Sequence, residues 1–279
     1  MADCRPLCLA LLLAAGPAFA QGKLLATGGA WQLEGQAGGG LVPWAVIAGY
    51  AEAGEWGGAA GATRVSVDDF DLTVAGATVG VGNRLEFGYV RQSLRVAPLD
   101  LSIDQDVLSA KWRFAGDLLY PGLPALSAGV QLKHNRDFTV PEALGAADDT
   151  GVDAWVAASR LWLNAVGGRN LFTNITLRAS EANQAGLLGF GRRGSGGSDH
   201  ELLLEASAGL FLDRHWVIGA EYRQKPDKLA AVREDDWGDL FVGWFPGKRV
   251  SVVAAWADLG DIAGLPDQRG WYLSLQVSR

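Results

Sequence analysis

The chain has 279 residues, a formal net charge of −7 and 49% hydrophobic residues. An acidic chain is a poor nucleic-acid partner, because neutralising phosphates needs a basic patch, and 38 glycines with 11 tryptophans and only the initiator methionine are unusual for a soluble enzyme. Both cysteines, Cys4 and Cys8, lie before residue 20, so the rest of the chain can form no disulfide, thiolate metal site or cysteine nucleophile.

Residues 1–20 read as a cleaved secretory signal peptide: Arg5, an apolar run over residues 7–15, then Ala18-Phe19-Ala20 before Gln21. That run is too short to cross about 30 Å of hydrocarbon as a helix, and nothing later approaches about 18 uninterrupted apolar residues. Residues 21–279 are read as a single domain, with 21–41 either a first strand or a plug inside a lumen, since Gly28-Gly29 and Gly38-Gly39-Gly40 suit both.

Beyond residue 50 the pattern is alternation. Leu85, Phe87 and Tyr89 share one face and Glu86 and Gly88 the other. Further on, Leu108, Ala110, Trp112 and Phe114 oppose Ser109, Lys111 and Arg113, and Val130 and Leu132 oppose Gln131 and Lys133. The period recurs in 200–212, where Leu203 and Phe211 interrupt it, in Trp216, Ile218, Ala220 and Tyr222 against Glu221 and Arg223, and in Trp271, Leu273, Leu275 and Val277. The apolar series carries no charge.

These segments approach the length that a tilted strand needs to span a bilayer. Short links (Gly82-Asn83, Asp213-Arg214, Pro246-Gly247-Lys248) alternate with long ones (94–104, 135–150, 182–200, 225–236, 259–268), as periplasmic turns and external loops do. Phe114, Trp216 and Trp244 then fall near periplasmic ends, and Tyr89, Tyr222, Trp256 and Trp271 near external ends, as two aromatic girdles. The expectation is an all-β, antiparallel transmembrane barrel in the outer membrane of a Gram-negative bacterium. It has about fourteen strands, the first two at 23–34 and 42–51, with twelve as the alternative count. Its partners would be outer-membrane lipid, lipopolysaccharide and the outer-membrane assembly machinery, although the last strand ends Gln276-Val277-Ser278-Arg279 without the usual terminal aromatic residue.

Four stretches, Glu34 through Ala45, Ala182 through Gly191, Gly219 through Asp227 and Asp258 through Ala263, resemble a proteobacterial family catalogued as domain of unknown function 3034. The resemblance covers nearly the whole chain after residue 20. It implies an outer-membrane setting and no established activity.

No catalytic residues, cofactor or metal site are expected. His134, His200 and His215 are scattered; His200 with Ser198 nearby is the one catalytic pair that could be drawn, and a solvated loop histidine explains it better. Asp148-Asp149 and Glu234-Asp235-Asp236 form an external acidic cluster that could hold Ca²⁺ or Mg²⁺ or pair with Arg192, Arg193, Lys225 and Arg233. The glycine-rich run with Arg192 and Arg193 reads as a mobile external loop able to meet lipopolysaccharide phosphates. The lumen face carries Glu86, Lys111, Arg113, Lys133, Arg178, Glu201, Glu205, Glu221 and Arg223. With both signs present, two readings stay open: a water-filled channel or uptake protein for small solutes, with these residues as its pore lining and loops 135–150, 182–200 and 225–236 as its mouth, or a structural or partner-binding barrel whose charges pair across a filled lumen.

Overall fold

The twelve longest strands run antiparallel and each pairs with its neighbour in sequence, so the wall forms by successive hairpins. A computed structural model describes residues 23–194, 199–229, 232 and 234–279; the expected signal peptide lies outside them. The wall strands are β3 (Trp56–Val67), β4 (Phe70–Val81), β5 (Leu85–Val96), β6 (Leu101–Ala115), β7 (Ala125–Asn135) and β8 (Thr150–Val166). They continue as β9 (Arg169–Ser180), β10 (Glu201–Phe211), β11 (Trp216–Arg223), β12 (Trp237–Gly247), β13 (Val250–Asp258) and β14 (Arg269–Ser278). β14 pairs with β3 from Gly270↔Val67 to Ser278↔Ala59, closing the barrel and leaving no edge.

One end carries mostly tight turns, with a longer link at 116–124 between β6 and β7. Between β4 and β5, Gly82 (φ 60°) and Asn83 (φ 54°) take the left-handed conformation of a primed β-turn, closed by the Arg84 N–H on the Val81 carbonyl (3.0 Å). The opposite, loop end carries the long connections, including a short helix α1 (Thr139–Ala143).

Alternation sorts the side chains as the sequence predicts. Val90, Val107 and Asp153 are fully buried inside, whereas Leu240, Leu273 and Ile175 are 68%, 56% and 58% exposed outside. The outward face is apolar through the middle of the wall. It turns polar towards the loop end, where Arg91 and Arg136 pair with Asp106 at 2.9 Å and Arg64 with Asp71 at 3.2 Å. Trp216 and Trp244 stack across register near the turn end (centroids 5.8 Å), and Trp256 and Trp271 meet edge-on at 4.9 Å towards the loop end. An exposed apolar band bounded by aromatic and charged residues suits hydrocarbon. Among the described residues no helix is long and apolar enough to cross a membrane.

The wall has twelve strands, the alternative count, instead of fourteen. The two missing segments lie inside it: every residue from 28 to 51 is buried. Their only ladder is a hairpin of β1 (Ala30–Trp31) and β2 (Ala37–Gly38). Residues 42–51 are apolar almost without interruption, so they have no polar face to turn towards a lumen, and they pack as core instead. The external loop at 182–191, expected at a mouth, folds inward as a second filler; Leu187, Leu188 and Phe190 are buried. Asn135 Nδ2 donates to the carbonyls of Gly186 and Leu187 (3.2 and 2.8 Å) and Gln105 Nε2 to that of Ala185 (3.1 Å).

Candidate functional site: the lumen, its plug and a hollow at the turn end

At mid-height the lumen holds a balanced charge cluster. Glu34, on the turn between β1 and β2, bonds Lys133 Nζ (2.5 Å), Arg223 Nη2 (2.8 Å) and Arg178 Nη2 (3.2 Å). Lys133 and Arg178 also reach Asp153 (2.6 and 3.2 Å), and Arg178 and Arg223 reach Glu205 (2.6 and 3.3 Å). Three cations meet three carboxylates, every one buried. Desolvating six charges is tolerable only because each has several partners, and the strands supply them at fixed register: Glu205 lies opposite Arg223 across the β10 and β11 pair.

Two further wall carboxylates bind the plug backbone. Glu86 accepts from the Ala37 and Ala48 N–H groups (3.0 and 2.6 Å) and pairs with Lys111 (3.0 Å), which donates to the Ala37 and Val46 carbonyls (2.8 and 3.1 Å). Glu221 accepts from the N–H groups of Gly40 and Leu41, both at 2.6 Å, and from the Ser207 hydroxyl at 2.6 Å. Such contacts satisfy backbone groups that have no ladder of their own.

Of the nine lumen residues expected from sequence, Glu86, Lys111, Lys133, Arg178, Glu221 and Arg223 bind the plug in this way, and Glu205 reaches it through Arg178 and Arg223. Arg113 is half-buried, and Glu201 sits exposed at the loop end with Lys228 (2.6 Å). Together these seven surround residues 28–51, which are buried throughout. Sequence reading missed Glu34, which sits in a glycine-rich stretch without period, and Asp153, whose strand also turns Trp155 inward. It missed Asp239 too, buried directly opposite Glu221 with both oxygens lacking a hydrogen-bond partner.

The external acidic residues are divided. Asp149 accepts from Thr150 Oγ1 (2.9 Å), which contacts His134 Nδ1 (2.9 Å); the Asp148 backbone bridges Phe190. Glu234 is buried against Lys225 (3.3 Å) and Gln184, and Asp236 takes the Tyr222 hydroxyl. Burial pushes the Glu234 carboxyl up to about 7 and the Lys225 ammonium down to about 8. Among the described residues no three His, Cys, Asp or Glu side chains are grouped to hold a metal. His200 Nε2 donates to the Val152 carbonyl (2.7 Å) and His215 Nδ1 to that of Phe245 (2.7 Å); Ser198 and Arg233 lie outside the described residues. Arg193 pairs with Glu142 (2.6 Å).

Below the charge cluster, at the turn end, a hollow of about 500 Å³ remains between plug and wall. Leu25, Trp44 and Val46 of the plug and Leu161, Phe172, Val217, Phe241 and Phe245 of the wall line it, with Trp44 and Phe172 in ring contact at 4.2 Å. Arg169, Asn170 and Arg214 stand at its rim.

A family model described as protein of unknown function (DUF3034) matches residues 27–276. The chain belongs to the DUF3034 family. No curated protein matches it. Among solved structures, the DUF3034 barrel is similar to the NanC porin (10% identity, 80% of this chain and 98% of that one, TM-score 0.46) and to the COG4313 outer membrane channel from Pseudomonas putida F1 (14%, 83% and 97%, 0.45). It is also similar to the outer membrane protein Omp33 of Acinetobacter baumannii (11%, 80% and 97%, 0.42).

Proposed function

We propose that this protein is an outer-membrane barrel sealed by its own N-terminal segment, with the turn end in the periplasm, acting as a structural or ligand-binding component. One observation carries the reading: residues 28–51 are buried throughout and held from β5, β6, β7, β9 and β11 by the charged groups described above. A solute path through the lumen would need those bonds broken together. The exposed apolar band supports the membrane setting, since facing water it would be a large unpartnered hydrophobic surface.

The test is single-channel recording of the refolded protein in planar bilayers. The full chain should give no steady current, and a chain lacking residues 23–51 should conduct if its barrel refolds. Steady current from the full chain would instead support a channel for small solutes.

A further inference from the structure

We propose that the hollow at the turn end is a binding site for a single-chain anionic amphiphile, of which a long-chain fatty acid is the simplest case. The proposal rests on the sealed-barrel reading for its orientation, which puts the hollow at periplasmic headgroup level, and on its own geometry for everything else.

The volume of about 500 Å³ lies within the roughly 300–1,000 Å³ of small-molecule pockets. Its deep wall is aromatic and aliphatic: Trp44, Phe172, Val217, Phe241 and Phe245 are all at least nine-tenths buried. The single polar group deep in this wall is the Trp44 indole N–H, and it is already given to Ser207 Oγ at 3.0 Å. Water entering such a space would find few partners, whereas an alkyl chain would lose its hydration and gain close contacts.

Polarity is confined to the mouth. Arg169 has no carboxylate partner among the described residues, and Arg214 donates only its Nε to His215 (2.8 Å), which leaves its terminal nitrogens for a ligand oxygen. Asp213 shares this rim, and its Oδ1 is turned to the backbone N–H groups of His215 and Trp216 (2.6 and 2.9 Å), so the mouth carries two guanidinium groups against one engaged carboxylate. Two guanidinium groups over an apolar shaft select an anionic head with a hydrocarbon tail. A volume of this size argues for one chain over two. Because Leu25, Trp44 and Val46 form one wall, the occupant would touch the plug directly.

The test is photo-cross-linking of the purified full chain in lipid nanodiscs, with detergent removed because detergent is itself an amphiphile, using diazirine-bearing palmitate and the matching diazirine hexadecanol. Palmitate label is expected on peptides carrying Trp44, Phe172 and Phe241, competed by excess unlabelled palmitate and lost in Val217→Trp, which fills the hollow. The surface double variant Arg169→Glu with Arg214→Glu, which spares the core, should cut palmitate labelling about tenfold, the loss of a charge-assisted hydrogen bond, without changing hexadecanol labelling.

Label confined to lipid-facing peptides such as those of Leu240 and Leu273, label that is not competed, equal labelling by the alcohol, or a diacyl lipid co-purifying in the hollow would each overturn the proposal. Its failure and that of the sealed-barrel reading separate cleanly: steady current from a chain that labels as expected condemns only the seal, and a silent barrel that takes no label condemns only the site.

Discussion

Glu34 is a single carboxylate shared by three cations from three strands, and removing it shows what such a centre is worth. Glu34→Ala would leave Lys133, Arg178 and Arg223 facing Asp153 and Glu205 alone, one buried positive charge in excess. Uncompensated buried charge costs about 3–5 kcal/mol, so amides of residues 28–51 should exchange hydrogen faster by orders of magnitude while the wall strands stay protected. Asp239 predicts the opposite sign: with neither oxygen hydrogen-bonded and Glu221 across the ladder, Asp239→Asn should leave the midpoint of urea unfolding unchanged or raise it. At this scale the sequence yielded the inward parity of most wall charges. Glu34 escaped because no period surrounds it, and Asp153 because its strand turns an aromatic residue inward beside it.

Among elements, the wall strands were legible because each shows an uncharged series against a mixed one. Segments 23–34 and 42–51 were not, because strand length and hydrophobicity do not say which side of a wall a segment occupies. Glycine supplied an unread signal. On β3 a Cβ at Gly61 would come 2.3 Å from the Trp31 ring, and on β8 a Cβ at Gly151 would come 2.2 Å from Phe190; these glycines make room for the two fillers as well as letting strands bend. Gly61→Val should therefore dislodge the β1 and β2 hairpin, read as raised protease cleavage between residues 28 and 51, with barrel circular dichroism retained. The loop at 224–236 makes a pH prediction. Glu234, raised by burial to about 7, contributes loop stability that is full below its unfolded value and is lost as pH rises through about 7. After correction for intrinsic exchange, amides of residues 225–229 should be less protected at pH 8 than at pH 5.5, and Glu234→Gln should abolish the difference.

As a whole, the barrel is filled like a soluble core with one polar layer through it. Towards the loop end Leu33, Leu41, Phe70, Leu72, Leu187 and Ile262 pack together; the charge cluster lies at mid-height; the aromatic hollow lies below. The four stretches that carry the family resemblance meet in this interior. Residues 34–45 bind Glu221 and Arg223 of the third stretch, and Gln184 of the second reaches Glu234 and the Asp261 carbonyl of the fourth. Closure, antiparallel order and the apolar outer face were readable from sequence; the occupancy of the lumen was not, because inward charges look alike whether they face water or a peptide.

The seam between β3 and β14 has a consequence for biogenesis. It ends in reciprocal backbone bonds between Gly58 and Arg279, both 2.9 Å, while the peptide leading into β3 occupies the centre. Threading residues 28–51 through a finished cylinder would be slow, so in the full chain they are expected to seat before β3 and β14 zip together, and the cylinder winds around them as around a mandrel.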